Sequence, residues 1–240
     1  MSWKRKFLGL HLIREFPAKA ILFCAIPQRG KTTRLQLEIA KDAIEQREEY
    51  FRPWPLPRFW SPPPIFCYDP KKELGAVSYD ALMRSYESTK EERYNETAKE
   101  FRKFFGDKEL ADFDNFQFYD TAGEAAIAAM QDMRGILIVE ELLTVDPSDY
   151  PYLTRAMAIR RTSTEGNGLT IYATTQRPKI MPVAMRAIPD EIWMGQIVEP
   201  IDIDALRSVI GPQNAARLPT VPRGDWVIYK QSEPGDAPSD

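Results

Sequence analysis

The sequence has few residues of the kinds that build metal centres and nucleophilic triads. It contains one histidine, His11, and two cysteines, Cys24 and Cys67, each inside a predicted buried strand. Neither cysteine lies at metal-ligand spacing from a histidine or from the other cysteine, so a zinc site and a histidine-based catalytic triad are excluded. Two isolated thiols also predict a reduced, intracellular protein and not a disulfide scaffold.

Long apolar runs and an excess of positive charge are missing as well. No apolar stretch approaches the length of a membrane span, and residues 1–17 lack the apolar segment and cleavage site of a signal peptide. The net charge is -3, so no global basic field attracts nucleic acid and any DNA contact has to be local. With 43% hydrophobic residues, the chain can bury one substantial core. We expect a single domain over residues 1–230 and a disordered tail over 231–240.

Apolar runs alternate with helical patterns along the chain. This alternation predicts an α/β fold, a mostly parallel central sheet flanked by helices. Two segments stand apart: residues 1–18, predicted as a short helix or edge segment that packs on the core, and residues 52–64, a proline-rich surface connection. The predicted strands are 20–24, 65–68, 116–119, 135–139, 169–173, 191–197 and 226–229.

A phosphate-binding pattern joins the strand at 20–24 to the helix after it. Gly30, Lys31 and Thr32 follow the strand and open the helix, which is the context that a P-loop requires. Lys31 would reach the β- and γ-phosphates of ATP, and Thr32 would bind Mg²⁺. The other residues predicted to surround the phosphates are Ala25, Pro27, Gln28, Arg29 and Thr33.

Two residues depart from the Gly-x-x-x-x-Gly-Lys-[Ser/Thr] pattern. Ala25 stands at the position of the first glycine, and Pro27 removes one backbone donor from the loop. On these residues alone, a strand, turn and helix with an accidental Gly-Lys-Thr is an open alternative. We expect the two departures to affect nucleotide affinity.

Polar residues directly follow three further predicted strands. Asp69 comes after the second strand, Glu140 and Glu141 after the fourth, and Gln176 after the fifth. Because the carboxyl ends of parallel strands form the ligand-binding edge of a sheet, we expect these side chains to gather around the phosphates. Glu140 would hold Mg²⁺, through Thr32 or a water molecule. Glu141 would polarise the attacking water, Gln176 would sense the γ-phosphate, and Asp69 would contact the nucleotide.

Two arginines, Arg160 and Arg161, end the helix predicted at 149–161. Cations near a helix C-terminus are stabilising for dipole reasons alone. Positive charge on the γ-phosphate would also assist phosphoryl transfer. Both interpretations of the pair remain open.

Together these motifs resemble the ordered motif set of the FtsK/HerA superfamily of P-loop ATPases, which pump DNA. The resemblance extends over residues 20–230, and the compact size is most like that of the genome-packaging ATPases of tailless, membrane-containing viruses. Ala25 departs from the glycine usual in the family, and Glu140 from a common aspartate. The segments that carry the resemblance are Ala25 to Thr33, Asp69-Pro70-Lys71, Ile136 to Glu141, Arg160-Arg161 and Ala173 to Pro178.

The resemblance implies a RecA-like core in a homo-oligomeric ring, a hexamer or pentamer, that hydrolyses ATP with Mg²⁺ at its subunit interfaces. Arg160 or Arg161 would act on a neighbour's ATP, Gln176 would couple nucleotide state to movement, and double-stranded DNA would pass through the pore. The resemblance further implies packaging of a viral genome into a preformed capsid and contact with a capsid or membrane-vertex protein. The expected location is the host cytoplasm or the packaging vertex of a virion.

Other functions remain open on the sequence. One alternative is a phage assembly, secretion or conjugation-type ATPase that moves protein or single-stranded DNA. Another is a nucleotide-binding scaffold that does not hydrolyse ATP, for which Ala25 is the relevant departure. A small-molecule kinase fits less well, because adjacent Glu140 and Glu141 suit water activation better than binding of a phosphate acceptor. Lys71, Lys72 and the charged segment 84–103 are either pore-lining or solvated surface.

Overall fold

The fold is organised around one large sheet and one small one. The structure is a computed structural model that describes residues 3–6, 11–14, 18–28, 30–51, 63–160 and 168–231. Strands β1 (Trp3–Lys6) and β2 (His11–Arg14) form an antiparallel pair. The seven strands of the large sheet are β3 (Ala20–Cys24), β4 (Ile65–Tyr68), β5 (Phe116–Phe118), β6 (Arg134–Val139), β7 (Gly168–Thr175), β8 (Glu191–Met194) and β9 (Val227–Lys230).

The order of strands across the large sheet is β5-β4-β6-β7-β3-β8-β9. All neighbouring strands are parallel except β8 and β9, which are antiparallel. The central strands β3, β6 and β7 are buried on both faces, as their continuous apolar runs predict. Because β3 lies between β7 and β8, and β7 separates it from β6, the carboxyl ends of β3, β6 and β7 lie side by side.

Helices cover both faces of the large sheet. The first face carries α1 (Lys31–Phe51), α2 (Tyr79–Thr89) and α3 (Glu92–Phe105), whose buried residues pack with Ile21 and Phe23 of β3. The second carries α4 (Ala122–Asp132), α5 (Tyr150–Ile159), α6 (Val183–Ala187) and α7 (Pro200–Arg217), which pack with Leu22. Alternate residues of one strand therefore enter two separate cores, since successive side chains point to opposite faces.

The predicted α/β fold with a mostly parallel, helix-flanked sheet is confirmed, and the differences are local. The predicted strand 191–197 stops at Met194, because the next residues bond elsewhere: the N–H of Ile197 donates to the carbonyl of Leu218 at 3.1 Å. The sequence pattern missed α6 and the antiparallel direction of β9. The N-terminal segment contains the β1-β2 pair and no described helix.

Several predictions lie outside the described residues. These are the roles of Arg29 and Arg161, most of the proline-rich connection at 52–64, and the tail beyond residue 231. Among the helices that the structure describes, none combines the length and apolar character needed to cross a membrane.

Candidate active site

The loop after β3 presents the start of α1 at the carboxyl edge of the sheet. Gly30 has a φ of +81°, in the left-handed region that favours glycine. A Cβ on Gly30 would meet no atom within 4 Å, so backbone conformation and not crowding calls for glycine here. The carbonyl of Gly30 accepts the first helical bond, from Arg34 at 2.8 Å. The N–H groups of the first turn therefore face the loop, where they can bind an anion.

Ala25, which replaces the first glycine of the pattern, fits the loop without strain. It is fully buried and is not among the non-glycine residues with positive φ. Its N–H donates to the carbonyl of Thr175 at the end of β7 (3.2 Å). A Cβ on Gly195 would lie only 2.9 Å from the Cβ of Ala25. The methyl group of Ala25 thus occupies space that Gly195 leaves free just beyond β8.

Glu140 connects the end of β6 to α1 and β7. The hydroxyl of Thr32 donates to Oε1 of Glu140 at 3.1 Å, and the hydroxyl of Thr174 donates to Oε2 at 3.0 Å. Burial raises the pKa of Glu140, while the positive charge of Lys31 and the two hydroxyl hydrogen bonds oppose the rise. The carboxylate therefore lies beside the residues expected to bind Mg²⁺ and phosphate.

Glu141 contacts the P-loop lysine directly. Nζ of Lys31 lies 2.8 Å from Oε2 of Glu141, and the backbone N–H of Gln176 donates to Oε1 at 3.2 Å. Glu141 has a φ of +57°, a conformation uncommon for a residue with a side chain. The structure thus brings together Lys31, Glu141 and Gln176, although the contact of Gln176 is through its backbone.

Thr174 contacts both acids and was not predicted from the sequence. Its hydroxyl donates to Glu140 and accepts the backbone N–H of Glu141 at 2.8 Å, so one fully buried group orients both acids. The available signal was a hydroxyl residue at the end of an otherwise apolar buried strand, where a polar group requires a partner.

Asp69 does not join these residues. Its two carboxylate oxygens accept backbone N–H groups of its own loop, from Lys71 at 3.0 Å and from Leu74 at 2.8 Å, and only 4% of the residue is exposed. These bonds shape the turn after β4, and the contact of Asp69 with the nucleotide stays a prediction.

Arg160 is held within its own subunit. Its guanidinium forms a two-bond ion pair with Asp190 (2.7 and 2.5 Å) and donates to the carbonyls of Met157 and Ile188. Asp190 also accepts the N–H of Ala20 at the start of β3 (2.7 Å). These partners occupy the buried guanidinium and disfavour a contact of Arg160 with a neighbour's nucleotide, which stays a prediction.

Of the other predicted loop residues, Thr33 lies on the first turn of α1, and Pro27 and Gln28 form an exposed turn. Their contacts with a nucleotide remain predictions. Within the described ranges there is no cluster of three or more metal-ligating side chains. The adjoining oxygens of Thr32 and Glu140 nevertheless fit Mg²⁺, which takes one or two protein ligands and completes its octahedron with phosphate and water.

No protein-family model and no curated protein matches this sequence. Among solved structures, the chain is similar to the genome packaging NTPase B204 from Sulfolobus turreted icosahedral virus 2 in complex with ATP-gammaS. The two are 14% identical, with a TM-score of 0.54 over 89% of this chain and 92% of that one. For B204, the DNA-packaging ATPase from Sulfolobus turreted icosahedral virus, identity is 12% and the TM-score 0.51, over 90% and 93% of the chains.

A third similar structure is the pCW3 conjugation coupling protein TcpA with ATPgS, at 14% identity and a TM-score of 0.45. The match covers 90% of this chain and 58% of the coupling protein. The sequence motifs predicted a likeness to genome-packaging ATPases of the FtsK/HerA type. That likeness is confirmed at the level of the fold: the chain has the α/β fold of the B204 packaging NTPases.

Proposed function

We propose that this protein is an ATPase that moves double-stranded DNA, as the genome-packaging motor of a virus. The observation that supports ATPase activity is the pairing of P-loop residues with the two acids after β6. Lys31 pairs with Glu141, and Thr32 pairs with Glu140. These contacts join residues 110 and 108 positions apart. They bring to one edge of the sheet the residues that we assign to the phosphate cradle, to Mg²⁺ and to the general base.

Each of these residues has a defined part in the proposed hydrolysis. Lys31 and the N–H groups at the start of α1 bind the phosphates. Glu141, which pairs with Lys31, loses that partner when the phosphates attract the lysine, and it then accepts a proton from the attacking water. The N–H of Gln176 holds Oε1 of Glu141 in position. Mg²⁺, held by Thr32 and Glu140, would offset the negative charge of the phosphate oxygens.

The DNA-moving and packaging parts of the proposal rest on the motif resemblance and on the names of the similar structures. We propose a homo-oligomeric ring, hexamer or pentamer, with the nucleotide at subunit interfaces and DNA in the pore. With Arg160 held by Asp190, Arg161 is the remaining candidate for the arginine that acts on a neighbour's ATP. A capsid or membrane-vertex protein is the proposed partner, in the host cytoplasm or at the packaging vertex of the virion.

The test is ATP turnover with and without double-stranded DNA. We expect DNA to stimulate the wild type, and Lys31→Ala and Glu141→Gln each to lower kcat at least about 100-fold, since each removes a group used in the transition state. Lys108→Ala and Glu124→Gln, at exposed positions after α3 and on α4, are matched controls and should retain turnover.

Unchanged turnover in both Lys31→Ala and Glu141→Gln contradicts the proposed ATPase site. Tight ATP binding without phosphate release in the wild type favours the scaffold alternative. The mass of the particle in solution, with an ATP analogue and DNA, tests the ring: a monomer under every condition contradicts it and removes the basis for an arginine acting between subunits.

A further inference from the structure

The antiparallel pair of β1 and β2, the N-terminal ribbon, concentrates positive charge in an acidic chain. Residues 3–14 contain four Lys or Arg residues and no Asp or Glu. The four cationic residues lie in the two strands and are Lys4, Arg5, Lys6 and Arg14. They contribute +4 to a net charge of -3, so the remaining residues together carry -7. A local field of this kind attracts a polyanion that the rest of the chain repels.

The register of the ribbon distributes the cations over both of its faces. The paired positions are Trp3 with Arg14, Lys4 with Ile13, Arg5 with Leu12 and Lys6 with His11. Residues directly opposite each other share a face, and successive residues of a strand alternate between faces. One face of the ribbon therefore carries Lys4 and Lys6, and the other carries Arg5 and Arg14.

The ribbon forms a sheet of its own. Among the described strands, β1 and β2 pair with each other and with no strand of the seven-stranded sheet. A two-stranded pair of this kind is marginally stable in water. With cations on both faces, neither face can enter an apolar core without a charge that lacks compensation. A partner that supplies negative charge on both sides would compensate the cations and stabilise the ribbon.

Duplex DNA has this distribution of charge. The major groove is about 12 Å wide and admits a two-stranded β-ribbon. An element that enters the groove lies between two phosphate backbones. A membrane surface instead presents negative charge on one side, and an element bound there turns an apolar face to the lipid. Cations on both faces of the ribbon therefore favour DNA over a membrane.

The charged segment 84–103 lacks a comparable excess of positive charge. It contains six Lys or Arg residues against five Asp or Glu residues. Lys103 pairs with Glu100 at 2.7 Å, and Arg102 pairs with Asp107 at 3.0 Å. Opposite charges this close together produce little field at a distance, where salt screens what is left. The ribbon is thus the stronger local attraction for phosphate groups.

We propose that the N-terminal ribbon binds the phosphate backbone of double-stranded DNA. The inference rests on the proposed DNA-moving function and specifies an element that contacts the DNA. Arg14 is six residues before Ala20, the first residue of β3, and six residues span at most about 22 Å. The ribbon is attached at the amino end of β3, whereas Lys31 and Glu141 follow the carboxyl ends of β3 and β6. Hydrolysis of ATP without DNA therefore does not depend on the ribbon.

The experiment measures the binding of a mixed-sequence DNA duplex by fluorescence anisotropy at several salt concentrations, and ATP turnover without DNA. The ribbon variant replaces all four cations with glutamine: Lys4→Gln, Arg5→Gln, Lys6→Gln and Arg14→Gln. We expect it to raise the Kd for DNA at least about tenfold at about 0.1 M salt. The slope of log K against log salt should fall by at least about 2, since each lost phosphate contact lowers it by about 0.9. ATP turnover without DNA should stay within about twofold of the wild type.

Two control variants separate charge from fold and from net charge. The charge-swap variant exchanges lysine and arginine at the same four positions, keeps every charge and should retain the wild-type slope. The second control removes four cations at exposed positions elsewhere and should also retain that slope. Its substitutions are Lys108→Gln, Lys179→Gln, Arg207→Gln and Arg217→Gln.

Four outcomes overturn the proposal. If the wild type binds no duplex DNA, the proposed DNA-moving function and this inference fall together. If the ribbon variant keeps the wild-type Kd and slope, the DNA contacts lie elsewhere and the proposed function stands. If the charge-swap variant loses binding as the ribbon variant does, the effect is one of fold and not of charge. If the ribbon variant loses binding to phosphatidylserine vesicles and keeps binding to DNA, the partner is a membrane.

Discussion

Two acids at neighbouring strand ends have different kinds of hydrogen-bond partner. Asp69 follows β4 and Glu140 follows β6, the strands are adjacent and parallel, and the residues are 4% and 6% exposed. Asp69 accepts N–H groups two and five residues away. Glu140 accepts hydroxyls 108 and 34 residues away. The first acid stabilises its own turn, and the second joins the end of β6 to the start of α1 and the end of β7. Two acids at the same sheet edge can therefore differ in what they hold together, and we expect the acid with partners distant in sequence to be the functional one.

The largest expected effect separates these acids by activity. Glu140→Gln should lower kcat at least about 100-fold, since it removes the charge at the proposed Mg²⁺ site. Asp69→Asn should leave kcat within about threefold and lower the free energy of unfolding by about 1–3 kcal/mol, because it removes an acceptor from a buried N–H group. ATP turnover and urea unfolding of both variants measure the difference.

The contrast fails if Asp69→Asn loses activity as Glu140→Gln does while it remains folded. Asp69 would then contact the nucleotide, as predicted from the sequence. Glu124→Gln, at an exposed position on α4, controls for removal of a carboxylate elsewhere and should change neither quantity.

A smaller effect on kcat tests the bond that Glu140 has and Asp69 lacks, namely the hydrogen bond from the hydroxyl of Thr174. Thr174→Val removes one donor to Glu140 and the acceptor of the Glu141 N–H. We expect it to lower kcat about tenfold and to raise the Mg²⁺ concentration for half-maximal rate. Thr174→Ser retains the hydroxyl and should recover most of both. Equal behaviour of the Val and Ser variants would show that packing, and not the hydroxyl, is what the site requires.

The pH dependence of stability gives a third, smaller difference. Burial raises the pKa of Glu140 in the folded protein, so the folded state binds this proton more tightly than the unfolded chain. The stability contributed by Glu140 therefore falls as pH rises from the ordinary glutamate pKa through the raised value. We expect Glu140→Gln to be more stable than the wild type at neutral pH, because it removes a buried negative charge.

Urea unfolding of the two proteins across the acid range checks this sign. The difference should shrink towards about pH 4, where Glu140 is increasingly protonated in both states. The direction assigned to the pKa shift is wrong if the stability of Glu140→Gln relative to the wild type is lower at neutral pH than at acid pH.

The fold and the placement of several candidate site residues could be predicted from the sequence, for a physical reason. Buried parallel strands require continuous apolar runs, and these runs place Lys31, Glu140, Glu141 and Gln176 at one edge. The hydrogen-bond partners of Asp69 and Arg160 could not be predicted in this way. A carboxylate that accepts N–H groups of its own loop looks, in the sequence, like one that faces a ligand. The ion pair of Arg160 depends on a residue 30 positions away.

The smallest expected effect concerns Ala25, just after β3, for which the sequence pattern and the structure lead to different expectations of ATP affinity. The missing glycine predicts altered affinity, but the methyl group of Ala25 fits the space beside Gly195 and its backbone needs no positive φ. Ala25→Gly should therefore change the Kd for ATP less than about twofold. Gly195→Ala should weaken ATP binding about fivefold, because its new Cβ would lie 2.9 Å from that of Ala25 and displace the loop. The double variant Ala25→Gly/Gly195→Ala should regain affinity, because removing the methyl group of Ala25 makes room for the new Cβ. The effects of substitutions at contacting residues are not additive. A large gain from Ala25→Gly alone would show instead that the alanine limits nucleotide binding.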